Sequence, residues 1–153
     1  MLYITSFKNV RKMDYDRAFA IVYSMINVPF ELQDKQLECL APDRILYSWY
    51  LSVRDNPNEW NENTFKQTFA EKFVYSLVRN RDAMRCLEIL KGVSHLDMKV
   101  ALCCFCKNEC LCHRSILAGI LKGMGANVKT DFDVDYSCYY EMFLKHLEVL
   151  NAS

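Results

Sequence analysis

Residues 99–134 constrain the fold more than any other part of the chain. Residues 99–106 form a continuous apolar run bounded by charge, short enough for a strand buried on both faces. A hydrophilic break, Lys107-Asn108-Glu109, follows. Cys112 or His113 then opens a helix with Ile116, Leu117, Ile120, Leu121 and Met124 at helical spacing, closed by Gly125 and Asn127. Val128, Thr130, Phe132 and Val134 alternate as a second strand does. A strand, a helix and another strand in this order cross over right-handed into a parallel sheet.

The remaining segments supply the layers around that unit. Residues 2–7 are β-branched and aromatic and read as an opening strand, followed by a basic turn with Lys8, Arg11 and Lys12. Asp14 or Asp16 is placed to cap a helix carrying Ala18, Ile21, Val22, Met25 and Ile26. Residues 27–33, with Pro29, read as a short edge strand. Pro42 falls in the first turn of a helix with Ile45, Leu46, Trp49, Tyr50 and Val53, which Asp55-Asn56-Pro57-Asn58 ends. Phe65, Phe69, Phe73 and Leu77 lie four apart over 63–78, a core-facing stripe. After Asn80 a further helix carries Met84, Leu87, Ile89 and Leu90, with Gly92 as its C′ residue. Asp135 caps a terminal helix with Tyr139, Tyr140, Phe143, Leu147 and Leu150, and Tyr136, Tyr139 and Tyr140 seal it on the sheet. No repeat or Gly/Ser linker divides the chain. The expected fold is one α/β, Rossmann-like domain over 1–153 with a small, mainly parallel sheet. A helical insertion falls at about 41–92 and the strand–helix–strand core at 99–134.

Composition narrows the function classes. A chain that is 52% hydrophobic and 13% aromatic is not intrinsically disordered. With 153 residues it needs neither disulfide nor metal merely to fold. Nineteen basic residues against 19 acidic leave no footprint for non-specific nucleic-acid binding. No apolar run approaches the ~20 residues of a membrane span, and 1–7 is too short for a secretory h-region. A cytoplasmic protein with reduced thiols is expected. Five of the eight cysteines fall between 103 and 112, a crowding unlike a disulfide framework. Cys39, Cys86 and Cys138 stand among apolar neighbours and read as small core residues.

The informative string is Cys103-Cys104-Phe105-Cys106-Lys107-Asn108-Glu109-Cys110-Leu111-Cys112-His113-Arg114-Ser115. A strand end running into a helix start favours an anion, because unpaired backbone N–H groups and the helix dipole converge there. Arg114 is the expected clamp for a carboxylate or phosphate, with Ser115 and Cys106 completing the ligand-binding set. Pairing of Arg114 with a structural carboxylate such as Glu109 is the plainer alternative. Cys112, its thiolate favoured by the dipole, and His113, a hydrogen-bond or proton donor, are the candidate catalytic residues. The phosphatase pattern of Cys, five residues and Arg is absent, since Asn108 stands six before Arg114. Cys104, Cys106, Cys110 and Cys112, beside His113, offer soft ligands of which zinc accepts four, although knuckles usually have wider gaps. Solvated or capping roles are expected for His95 and His146. Tyr47, Trp49, Tyr50 and Trp60 cluster near turns, where core packing competes with covering a ligand.

Through 101–121 the chain resembles domain-of-unknown-function family 488, in which a strand ends in Cys-x-acidic and Cys-His-Arg opens a helix. The likeness extends more weakly over 40–128 through Leu40-Ala41-Pro42, Trp60, Phe65 and Phe69, with 1–7 fitting the family's opening strand. The resemblance implies a small Rossmann-type α/β domain with Cys112, His113 and Arg114 near its site, and brings no established activity. Cys106 stands where the family usually has an acidic residue. The string is also similar to a related small domain in which Cys-aromatic-Cys precedes a Cys-His helix start, and such compact forms look like proteins of phages or mobile elements. The expected function is binding of a small anionic ligand, a nucleotide or phosphate-bearing molecule, with no cofactor required. The alternative is a non-enzymatic interaction or inhibitor protein acting on a host protein, its cysteine cluster structural or holding zinc.

Overall fold

In the computed structural model, which describes residues 1–131 and 134–152, four strands form one parallel sheet in the order β2-β3-β1-β4. They are β1 (Leu2–Ser6), β2 (Arg17–Ala20), β3 (Val100–Cys104) and β4 (Val128–Thr130). Leu2 lies opposite Val100 on one side and Val128 on the other, and Arg17 lies opposite Val100. All five residues of β3 are buried, as a strand flanked on both edges and covered on both faces must be. The parallel arrangement brings the carboxyl ends Ser6, Ala20, Cys104 and Thr130 to one edge of the sheet.

The helices are α1 (Phe7–Val10), α2 (Arg44–Val53), α3 (Glu62–Thr64), α4 (Glu71–Arg79), α5 (Arg81–Val93), α6 (His113–Gly123) and α7 (Ser137–Ala152). A π-helical stretch, Phe65–Ala70, joins α3 to α4. In the insertion α2, α3 and α5 start on side-chain caps, while α4 continues from the π-helical stretch. Asp43 accepts from the Leu46 N–H at 2.8 Å, Asn61 forms a capping box with Thr64, and Asn80 accepts from the Ala83 N–H. Pro42 therefore sits just outside α2. Phe65, Phe69 and Phe73 are buried, and their rings stack in sequence at 5.3 and 6.2 Å. α7 packs on α4 and α6, and α6 on β1 and β4. Asp135 Oδ1 accepts from the Ser137 N–H at the start of α7. Among the described residues no helix is long and apolar enough to cross a membrane.

Four local expectations give way. The segment expected as a capped helix from Ala18 to Ile26 contains edge strand β2, in which Ala18 and Ala20 are buried and Arg17 is exposed. Over so few residues, spacings of two and of three to four overlap, and pairing with β3 decides. Residues 27–33 hold a 3-10 turn, Phe30–Leu32, instead of a strand, after Asn27 reverses the chain at φ 67°. Gly92 lies inside α5, which continues to Val93 and is capped by Ser94, while Gly125 at φ 99° closes α6. Cys39 and Cys86 pack half-buried against the core, burial pushing the Cys86 thiol up to about 12, but Cys138 is exposed on α7. Strand β4 ends at Thr130, and the expected continuation through Phe132 lies outside the described residues.

Gly119 and Gly123, one turn apart on α6, let α7 approach closely. A Cβ at Gly119 would strike the Tyr136 backbone carbonyl, and one at Gly123 the Tyr140 ring. Gly119→Ala is therefore expected to destabilise the fold by about 1–3 kcal/mol. Gly92→Ala, facing open space within α5, should stabilise it by about 0.5–1 kcal/mol. Urea denaturation of the two variants reads both signs.

Candidate functional site

The site grows from the end of β3. Cys103 and Cys104 are its last residues, and burial pushes the Cys103 thiol up to about 12. After Cys104 the chain loops out and returns through a 3-10 turn, Glu109–Leu111, to Cys112, the N-cap of α6. The Cys112 side chain makes no capping bond. Its Sγ lies instead 3.1 Å from the Cys104 Sγ, and the Cys106 sulfur joins them so that all three lie within 4.8 Å of one another. Cys110, expected among the metal ligands, stands outside this group.

The surroundings push the three thiols in different directions. Burial opposes a thiolate at Cys104, but hydrogen bonds from Cys106 and Cys112, with His113 and Arg114 nearby, pull its pKa well below the ordinary thiol value. Burial, together with donation to Cys104, holds Cys112 well above it. Cys106 is raised first by its hydrogen bond to Cys104. The hydrogen bonds converging on Cys104 thus favour a thiolate there, where the helix start alone pointed to Cys112.

His113 forms the other side of the floor. Its Nδ1 lies 3.7 Å from the Cys112 Sγ, and its Nε2 lies 2.5 Å from the Ile21 carbonyl oxygen. The carbonyl only accepts, so Nε2 carries the hydrogen and the Nδ1 lone pair of the neutral ring faces the sulfurs. Burial lowers the His113 pKa and favours that neutral form. The sheet positions this partner, since the Ile21 N–H donates to the Cys103 carbonyl at 2.9 Å. Phe73, the last ring of the stacked stripe, packs edge-on to the imidazole at 5.8 Å.

Arg114, 2% exposed, has a different task from the expected anion clamp. Its Nη1 pairs with Asp131 Oδ2 at 3.3 Å, and its Nη2 donates to the Cys106 carbonyl at 3.2 Å. Asp131 Oδ1 also accepts from the Thr5 hydroxyl at 2.6 Å. One guanidinium therefore ties together the chain at the ends of β1, β3 and β4. Ser115 turns its hydroxyl back to the Cys112 carbonyl at 2.7 Å. Neither residue lines the adjoining cleft. Successive helical positions point ~100° apart, so His113 faces the cleft and its two followers do not.

That cleft, about 830 Å³, opens outside the carboxyl ends of β2 and β3. Cys104, Cys106, Cys112 and His113 line it from the core side, and Tyr23, Tyr47, Tyr50 and Trp60 present rings to it. The rings form a chain, with centroids 5.1 Å apart for Tyr23–Tyr47 and 4.9 Å for Tyr50–Trp60. Gln36 holds the loop after β2 by donating to the carbonyls of Val22 and Tyr23. Trp49 points elsewhere and packs under Lys72. Arg54 and Lys107 bring positive charge to the cleft and Asp55, 4.0 Å from Arg54, a negative one, and sequence reasoning assigned neither cation a role. A signal existed for Arg54: Tyr47, Tyr50 and Arg54 stand at i, i+3 and i+7 on one helical face. A second hollow, of about 490 Å³ between α6, β4 and the start of α7, is lined by no cysteine or histidine. His95 Nε2 meets the Gly125 carbonyl at 2.8 Å, and His146 pairs with Glu71 at 2.7 Å, both away from the cleft.

These features define a class: a small parallel α/β domain whose cleft, floored by cysteine and histidine, lies where strands run out into helix starts. The chain belongs to the DUF488 family, since the family model described as the active DUF488-N3 subclade matches residues 8–125. That span takes in β2, the helical insertion, the cysteine cluster and α6. No curated protein and no solved structure matches the chain.

The Arg114 tie sets an expectation for stability. Arg114→Ala strands a nearly buried carboxylate and releases the loop at Cys106, and should cost about 3–5 kcal/mol in urea denaturation.

Proposed function

We propose that the cleft binds a small anionic ligand bearing a planar ring, a nucleotide or a related phosphate-bearing molecule. One observation carries this reading: the same cleft joins a run of aromatic faces to two cationic side chains, at the strand ends where ligands of open α/β sheets collect. A base stacks on faces such as those of Tyr47, Tyr50 and Trp60, and an anionic group pairs with Arg54 and Lys107. The volume of about 830 Å³ lies within the roughly 300–1,000 Å³ typical of small-molecule sites. Arg54 and Lys107 set against Asp55 leave the cleft a small positive excess, which suits one small anion better than a polyanion. The Arg114 fork serves the fold, and Cys112 and His113 face the ligand from the floor. All eight cysteines are free, which suits a reducing, cytoplasmic setting.

Titration calorimetry with nucleoside mono-, di- and triphosphates, and with inorganic phosphate as the minimal anion, tests the proposal. At least one nucleotide is expected to bind and to perturb Trp60 fluorescence. Arg54→Ala should weaken that binding about tenfold to a hundredfold, the worth of a charge-assisted hydrogen bond. Binding indifferent to Arg54→Ala, or no binding across the series, would overturn the reading. Product analysis of the bound mixtures shows whether Cys112 and His113 also break a bond.

A further inference from the structure

We infer that Cys104, Cys106 and Cys112 form a three-thiolate zinc site whose fourth coordination position opens into the cleft and takes water or another exchangeable ligand. The site concerns the floor of the cleft alone and is tested with metal, so it stands apart from the nucleotide reading above.

The three sulfurs meet the requirements of a single ion. Zinc–sulfur bonds of about 2.3 Å at tetrahedral angles imply sulfur–sulfur edges of roughly 3.8 Å. All three sulfurs lie within 4.8 Å of one another. The closest pair, Cys104 and Cys112 at 3.1 Å, has to open by roughly 0.7 Å to reach that edge. Each ligand comes from a different piece of local structure. Cys104 ends β3, Cys106 stands in the loop after it, and Cys112 is the N-cap of α6, whose side chain makes no capping bond. Among the described residues no fourth donor joins them. The Cys110 sulfur stands outside the group, and so does His113, whose Nδ1 lies 3.7 Å from the Cys112 sulfur.

That count of donors decides the kind of site. Structural zinc is closed by four protein ligands, whereas catalytic zinc keeps three and leaves a position for water or substrate. Three cysteines are a sufficient protein ligand set for a zinc that activates water. Here all three line the cleft, so the position they leave is reached from it. An ion so placed polarises, or supplies activated water to, whatever occupies the cleft.

Donor chemistry and charge select the ion. Thiolates prefer zinc or Cu(I) to the hard, oxygen-seeking cations. Three thiolates around a dication leave one net negative charge, and around a monovalent ion two. The smaller excess suits a floor with one buried guanidinium, Arg114, whose charge is already shared with Asp131. The Arg114 Nη2 holds the Cys106 carbonyl, and its Nε makes no hydrogen bond among the described residues, so one donor is left over. Cys112 also sits at the positive end of the α6 dipole. Zinc binding forms three Zn–S bonds, the thiol protons pass to solvent, and nothing is oxidised or reduced.

The test uses the full chain, stripped with chelator under reducing conditions and titrated with Zn²⁺ against a chromophoric competitor. One zinc per chain is expected, with three thiols protected from a thiol reagent. X-ray absorption at the zinc edge should show three sulfurs and one oxygen, without the outer-shell scattering of an imidazole. Co²⁺ in its place should give tetrahedral ligand-field bands and a thiolate charge-transfer band, and added imidazole should shift the ligand-field bands by entering the open position. Cys110→Ser should retain the metal, whereas Cys106→Ser should weaken zinc binding by more than about a hundredfold. Cys106 lies in the loop, so its variant leaves strand and helix intact, as circular dichroism verifies. Absence of stoichiometric zinc, or binding of Cu(I) alone, would overturn the inference. So would a fourth sulfur or an imidazole at the zinc edge, loss of zinc in Cys110→Ser, or a cobalt spectrum indifferent to added imidazole, each of which marks a closed site.

Discussion

The buried Arg114–Asp131 pair is the constraint on which the sheet's carboxyl edge depends. Three strands of different origin in the chain end near it, and each contributes one partner: the Thr5 hydroxyl after Ile4, the Cys106 carbonyl beyond β3, and Asp131 after β4. A guanidinium this deeply buried is tolerable only because its charge is met and most of its fork is engaged. With that edge tied, the loop carrying Cys106 returns beside Cys104, and α6 starts with Cys112 and His113 facing the same space. The geometry of the sulfur cluster therefore follows from an ion pair that contains no sulfur.

The helical insertion builds the opposite wall. Its stacked phenylalanines run from the foot of Trp60 to the His113 ring, so packing in the insertion and orientation of the imidazole are one continuous arrangement. The π-helical stretch falls within this stripe, and irregular turns of this kind often accompany functional sites. α2, capped by Asp43, delivers Tyr47, Tyr50 and Arg54 from one face. Aromatic surface and positive charge thus meet above a floor of thiols, although the segments that supply them are far apart in sequence.

Much of the fold was legible. The run at 99–106, the helix after it and the alternation at Val128 and Thr130 yielded strand, helix and strand, because a segment buried on both faces is uniformly apolar and a crossover helix is amphipathic. The Phe65–Phe69–Phe73 stripe read as core and is core. Strand β2 did not read, since four residues with alanines at alternate positions carry too little pattern to separate the two periods. The site was legible as a place and less so as a set of side chains. Cys106, Cys112 and His113 face the cleft, while Arg114 and Ser115 turn away from it. Lys107 carried no local mark of the cleft, and Arg54 only its helical spacing from Tyr47 and Tyr50.

Composition, periodicity and the Cys-His-Arg string by themselves determined the class of fold, the family and the stretch of chain that forms the site, since these depend on burial patterns and local motifs. Tertiary structure alone decided which three sulfurs come together, that the His113 ring turns its Nδ1 toward Cys112, and that Arg114 binds the fold together. Those outcomes depend on where a side chain points and on what approaches from distant segments: the Ile21 carbonyl, the Asp131 carboxylate and the rings of the insertion. A one-dimensional pattern encodes proximity along the chain, and the physics of a site depends on proximity in space.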